Sequence, residues 1–295
     1  MSKVNQSHFM EHYIFTPTTE CNQDCLFCLV KRDARAQCSY KDTVTLLRKL
    51  HKQGIIKLSI DGGEPTLLSY FNKLIRQSIA LGFKTIAIKT NGLGFSNYKF
   101  AQNILEGNET IIYIYLSLHG PNKIIHDKLT QTRGSFDTAI KAAKNIIELQ
   151  GNIIANIVIN NLNFLYLKEY IDLLKKINIR ETLFLFILPK GNALKNNFLI
   201  PNIKNIIPFI KEAIDYANSK NIHVGLTFFP FCLLGDYYID FAVETHIPTS
   251  ISNFDKSSGE IYKSNKCRDC KYFSKCPGVR KEYFKLNGFH FQPIK

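Results

Sequence analysis

The sequence predicts an α/β protein built on a parallel sheet, and two observations predict it. Short apolar runs alternate with longer amphipathic stretches along most of the 295 residues, the pattern of repeated strand–helix units. Polar clusters stand at the carboxyl ends of four successive runs, where sheets of this kind bind their ligands. Strands are expected at 12–16, 55–60, 84–90, 111–118, 152–160 and 181–188. Helices are expected at 42–53, 69–81, 98–106, 135–149, 164–177 and 202–220. Val44, Leu46, Leu47 and Leu50 share one helical face, and Leu74, Ile75, Ile79 and Leu81 share another. Six such units are too few for a closed eight-fold barrel.

Composition narrows the class. Hydrophobic residues make up 45% and charged residues 21%, as in an ordinary globular protein. The length suits one large α/β domain with a small appendage. No segment has the apolar length of a membrane span, and residues 1–11 are polar without a signal-peptide core. Eight cysteines without a secretory signal point to a cytoplasmic protein whose thiols ligate metal. The net charge of +14 raises nucleic acid as a partner. The lysines are scattered along helix faces and no basic stripe interleaves with aromatics, so neither nucleic acid nor membrane is expected.

The first expected strand runs into Cys21-Asn22-Gln23-Asp24-Cys25-Leu26-Phe27-Cys28. Thiolates this close can turn onto one inorganic centre. An iron–sulfur cubane normally takes four cysteines, so three leave one iron open. A structural zinc site with Cys38 as fourth ligand is the alternative that the cysteines alone leave standing. Asp61-Gly62-Gly63-Glu64-Pro65 ends the second run, Lys89-Thr90-Asn91-Gly92 the third and Ser117-Leu118-His119-Gly120 the fourth. Adjacent glycines let backbone approach a ligand closely.

Taken together, C-x3-C-x2-C with an aromatic before its last cysteine, the GGEP segment and these strand ends resemble the radical S-adenosylmethionine superfamily, over roughly residues 10–230. The resemblance implies an open, partial (β/α)6 barrel. It implies a [4Fe–4S] cluster on Cys21, Cys25 and Cys28, whose open iron chelates S-adenosylmethionine. One electron then releases a 5′-deoxyadenosyl radical for hydrogen abstraction. By the same resemblance Gly62, Gly63 and Glu64 engage the methionine amino group. Asn91 belongs to the cofactor rim, Ser117 touches the ribose or carboxylate, and Arg133 pairs with the carboxylate. Phe27 packs near the adenine or serves as a core aromatic. His119 is a ligand contact or a satisfied rim histidine. The region 156–160 takes the adenine-facing place without a firm ligand.

After residue 220 the pattern changes. The apolar run 224–229 leads to Cys232, a polar loop is expected at 249–260, and Cys267, Cys270 and Cys276 follow at C-x2-C-x5-C spacing. Four thiolates complete a cubane or a zinc site. Behind such a barrel they resemble the SPASM and twitch appendages. Arg280 stands where the full SPASM pattern has a cysteine, so one auxiliary [4Fe–4S] cluster is implied. The expected domains are 1–225 for the barrel and 226–295 for the auxiliary-cluster region.

The substrate is then a peptide or protein, as the appendage suggests, or a small molecule. The implied electron source is a reductase such as flavodoxin or ferredoxin. A zinc protein that binds nucleic acid is the reading from another class.

Overall fold

The computed structural model describes residues 12–30, 37–243, 261–289 and 292–295. The apolar runs form seven strands: β1 His12–Thr18, β2 Lys57–Gly62, β3 Thr85–Thr90, β4 Ile112–Ser117, β5 Asn152–Ile159, β6 Glu181–Phe186 and β7 His223–Thr227. They lie in sequence order and every neighbouring pair is parallel. β1 and β7 are the two edges of this sheet, so it is open.

The connecting helices are α1 Tyr40–Lys52, α2 Phe71–Ala80, α3 Tyr98–Leu105, α4 Lys123–Thr130, α5 Ser135–Glu148, α6 Leu167–Lys176, α7 Asn192–Lys195 and α8 Ile203–Ser219. Parallel strands in sequence order, joined by right-handed crossovers, put their helices on one face. The strand residues divide accordingly. Ile86, Ile88, Ile112, Ile114 and Leu116 are fully buried in the core. Lys89, Tyr113, Tyr115 and Ser117, pointing the other way, are only half-buried. The second group lines the inner face of the sheet.

Two features correct the expectation. The sheet has seven strands, not six, because the run at 224–229 pairs with β6 as β7 and so crosses the expected boundary at residue 225. Its Val224 and Leu226 are fully buried; burial outweighs the shortness of the run. The second is α4, which was not expected. Asn122 starts it, its Oδ1 accepting from the Ile124 and Ile125 amides at 3.1 Å.

Beyond β7 come α9 Phe231–Leu234, α10 Asp236–Ile239, the two-stranded ribbon of β8 Ile261–Tyr262 and β9 Val279–Arg280, and α11 Lys281–Asn287. Tyr283 fastens this region to the sheet and its helices. It is 2% exposed, its ring meets Phe186 edge-on at 5.5 Å, and its hydroxyl accepts from the Ile203 amide at 2.8 Å. The polar loop expected at 249–260 and the N-terminal stretch 1–11 lie outside the described residues.

Candidate active site

The cysteine loop leaves the end of β1 and is held from three sides. The Asp24 and Leu26 amides donate to the Thr130 and Leu129 carbonyls at 3.1 and 2.9 Å, on the last turn of α4. From the far side, the Asn192 amide donates to the Cys28 carbonyl at 2.9 Å. The Asn192 and Asn196 side chains donate to the Cys25 and Leu26 carbonyls, both at 3.0 Å. Gly191 permits this approach: its φ is +57°, and a Cβ there would lie 2.4 Å from the Cys28 carbonyl oxygen. From β3, Asn91 Nδ2 donates to Asn22 Oδ1 at 2.7 Å and lies 3.9 Å from Cys21 Sγ.

The glycine pair docks the same loop. Gly63 and Glu64 donate through their amides to the Thr18 and Glu20 carbonyls at 2.9 and 2.7 Å. A Cβ on Gly63 would sit 1.9 Å from the Glu20 oxygen, and one on Gly62 2.5 Å from the Thr18 oxygen. The close approach that these glycines permit is to the protein's own backbone, just ahead of Cys21.

Glu64 is 1% exposed. Its Oε1 accepts from Thr66 N, Thr66 Oγ1 and Thr90 Oγ1 at 3.1, 2.6 and 2.8 Å, and its Oε2 from Asn91 N at 2.7 Å. Burial raises its pKa while these hydrogen bonds pull it down. The side chain therefore clamps the ends of β2 and β3 together, which fixes Asn91 against the cysteine loop.

Cys21, Cys25 and Cys28 are half-buried, and none of the eight cysteines is in a disulfide. Three thiols on a loop whose backbone is already held by the protein suit an iron–sulfur cluster. Among the described residues no three His, Cys, Asp or Glu side chains are close enough for a single metal ion.

Phe27 is buried and packs edge-on against His119 at 4.7 Å. His119 is buried at the end of β4. Its Nδ1 accepts from Val158 N at 3.3 Å, and its own amide donates to His126 Nδ1 at 3.0 Å. Burial, then His126, lowers the His119 pKa well below 6.5. Burial takes His126 down to about 4 against a small opposing pull from Asp127, so both rings are neutral. Ser117 is half-buried at the end of β4, opposite Asn156. Arg133 is exposed in the turn before α5. Asp127 pins that turn, accepting from Gly134 N at 2.7 Å and Phe136 N at 2.8 Å.

In the C-terminal region Cys232, Cys267, Cys270 and Cys276 line one pocket with Phe231 and Phe273. Gly278 N donates to Cys276 Sγ at 3.4 Å. Burial pushes the Cys232 and Cys276 thiols up, and neighbouring cysteines of the set add to it. Cys38 lies apart, its carbonyl accepting from the Tyr70 hydroxyl at 2.5 Å. Arg280, in the place of the missing cysteine, is buried with its guanidinium 5.6 Å from the Phe228 ring.

The residues absent from the sequence reading are Gly191, Asn192 and Asn196. The available signal was Gly191-Asn192 just beyond the sixth apolar run.

The family model of the Radical SAM superfamily matches residues 15–174. The probable GTP 3′,8-cyclase of Saccharolobus islandicus (strain M.14.25 / Kamchatka #1) is 26% identical over 185 residues, 62% of this chain and 58% of that protein. The 7,8-dihydro-6-hydroxymethylpterin dimethyltransferase of Methanocaldococcus jannaschii is 22% identical over 215 residues, 67% of this chain and 41% of that protein. The chain thus spans less than two thirds of these curated relatives. Streptococcus suis SuiB bound to precursor peptide SuiA superposes with a TM-score of 0.63 at 21% identity, over 74% of this chain and 49% of SuiB. Native anSMEcpe with bound AdoMet superposes with a TM-score of 0.60 at 16% identity, over 96% of this chain and 92% of anSMEcpe. The two superpositions speak for the fold.

Proposed function

The chain belongs to the radical S-adenosylmethionine superfamily, and from that premise we propose that it is a cytoplasmic enzyme that modifies a peptide or protein by hydrogen abstraction. The observation that carries this reading is the cysteine loop, held by α4, α7 and Asn91 beside the docked glycine pair. Cys21, Cys25 and Cys28 would hold a [4Fe–4S] cluster that, with S-adenosylmethionine bound and one electron added, supplies the 5′-deoxyadenosyl radical. The chain's own residues bind and orient. Gly62, Gly63 and Glu64 offer backbone carbonyls to the methionine ammonium, since the Glu64 carboxylate is largely occupied by protein donors. Asn91 sets the loop, Ser117 faces the ribose, Arg133 pairs with the carboxylate and Phe27 backs the adenine. Cys232, Cys267, Cys270 and Cys276 would hold a second [4Fe–4S] cluster in a twitch-like region spanning about residues 226–295. A flavodoxin- or ferredoxin-type reductase supplies the electron.

Peptide substrates are favoured because SuiB bound to precursor peptide and anSMEcpe share the fold. A small-molecule substrate is the second reading, supported by the relative named as a GTP cyclase. The test is anaerobic. Reconstituted, dithionite-reduced enzyme should convert S-adenosylmethionine to 5′-deoxyadenosine, and the Cys21/Cys25/Cys28→Ala protein should not. Mass spectrometry with short peptides encoded beside this gene, and separately with GTP, decides between the substrates. Equal 5′-deoxyadenosine from the triple variant would place the chemistry elsewhere.

A further inference from the structure

The inner face of the sheet carries a charged row that the reading above leaves without a role. Lys89 lies opposite Tyr115 in the register of β3 and β4. On its other side Asp61 follows Ile60, the partner of Ile88, and Asp61 Oδ2 accepts from Lys89 Nζ at 2.6 Å. Burial raises the Tyr115 pKa above 10 although Lys89 opposes it, so the phenol keeps its proton. Lower on this face His12 Nε2 and Ser59 Oγ share a hydrogen bond of 2.8 Å.

The interior of a packed barrel is filled by branched apolar side chains. Here the part formed by β2, β3 and β4 is polar and partly open. The Lys89 and Asp61 side chains are 33% and 16% exposed, while Ile88 and Thr90 on either side of Lys89 are 0% and 2% exposed. Asn91 and Ser117 follow Lys89 and Tyr115 by two residues, hence on the same face and about 7 Å nearer the rim. Asn156, the register partner of Ser117, has a buried Oδ1 with no hydrogen-bond partner among the described residues. A buried acceptor left so is costly, and a ligand donor on this face would satisfy it.

We propose that Asp61, Lys89 and Tyr115 form the substrate-binding row and take a net-neutral dipolar group, the amide of a peptide bond or carboxamide. The assignment of this group to a substrate rests on the radical-enzyme reading of the rim. The amide oxygen accepts from Lys89 Nζ or the Tyr115 hydroxyl, and the amide N–H donates to Asp61. The ion pair selects for this. An anion drawn to Lys89 would leave the Asp61 carboxylate against like charge, and a cation drawn to Asp61 would strand Lys89. A dipole can bond to both groups, Asp61 Oδ1 also accepting from Gly62 N at 2.7 Å, and brings no net charge. A triphosphate finds Lys89 already neutralised.

Saturation-transfer NMR on the reconstituted holoenzyme with S-adenosylmethionine tests this with three probes: N-acetylglycine N-methylamide, acetate and methylammonium. The amide should give the strongest transfer. Its affinity should fall at least about tenfold in the Asp61→Leu/Lys89→Leu double variant, which removes both charges together and leaves no lone buried charge. Preference of the wild-type enzyme for acetate or methylammonium overturns the proposal without recourse to a variant, as does silence from the amide. Undiminished amide binding by the folded double variant also overturns it. Assay of 5′-deoxyadenosine in the wild-type samples separates the two readings. Amide binding that depends on the pair, in a protein that makes none, supports the row and overturns the radical function.

Discussion

The side-chain amide of Asn192 donates to the carbonyl of Cys25 at 3.0 Å, across 167 positions of sequence. Its backbone amide reaches Cys28. The loop after β6 therefore shapes the loop after β1, and the three thiols hang from a scaffold that spans the sheet.

Replacing that side chain tests the scaffold. Asn192→Ala leaves the Cys25 carbonyl without this donor, a loss of about 1–2 kcal/mol. The denaturant midpoint should fall, and a chelator should strip iron faster than from the wild type. Matching midpoints and matching iron release would show that Asn192 does not hold the loop.

Gly63→Ala should act more severely. Its Cβ would lie 1.9 Å from the Glu20 oxygen, and backbone cannot yield as a flexible side chain does. The expected protein is folded but holds about half the iron and sulfide, the share of one cluster in two. Gly54→Ala serves as comparison: its φ is +83° and nothing lies within 4 Å of the new methyl, so only strain is added. Equal metal content in both variants would contradict the docking role of Gly63.

Acid should weaken the fold through His126. Its folded pKa, about 4, lies below the ordinary imidazole value of 6.5 because of burial. The unfolded chain takes up the proton first as pH falls. Stability from the neutral ring is full above about pH 6.5 and is lost towards pH 4, roughly 3 kcal/mol in all. His126→Asn keeps an acceptor for the His119 amide and cannot charge. Denaturation of wild type and variant between pH 7.5 and 5 should show a steeper fall in the wild type. Parallel profiles would remove His126 as the cause.

The strands and most helices were legible because their apolar periods survive on a single line of sequence. β7 was not, since a five-residue strand running into Pro230 and Phe231 looks like the start of an appendage until β6 is beside it. Asn192 and Asn196 were hidden for another reason. Gly191-Asn192 beyond the sixth run signals a turn, but in a chain rich in asparagine nothing in that signal says that the amides of Asn192 and Asn196 face another loop. The GGEP segment was legible as a site, but its glycines answer to Thr18 and Glu20 and its carboxylate to Thr66, Thr90 and Asn91. Local sequence names a motif; the partner across the sheet decides what each atom does.

Cys270→Ala tests the second thiol set. Cys270 lines the pocket with Cys232, Cys267 and Cys276, so one cluster there would tie residues near 232 to those near 270. The variant should lose about half its iron, and limited proteolysis should cut the C-terminal region sooner. Abortive cleavage of S-adenosylmethionine should persist, since Cys21, Cys25 and Cys28 are untouched. Full iron content with an intact tail would withdraw the auxiliary cluster.

Tyr283 makes the C-terminal region more than an attachment. Its hydroxyl accepts a hydrogen bond from the amide of Ile203, the first residue of α8, one of the donors that a helix start leaves without an internal partner. A cut before residue 283 would therefore leave α8 with its Asn202 cap alone, strip the partner of the Ile203 amide and uncover Phe186. A graft of this region between related enzymes keeps these two contacts only if it carries a tyrosine to this position.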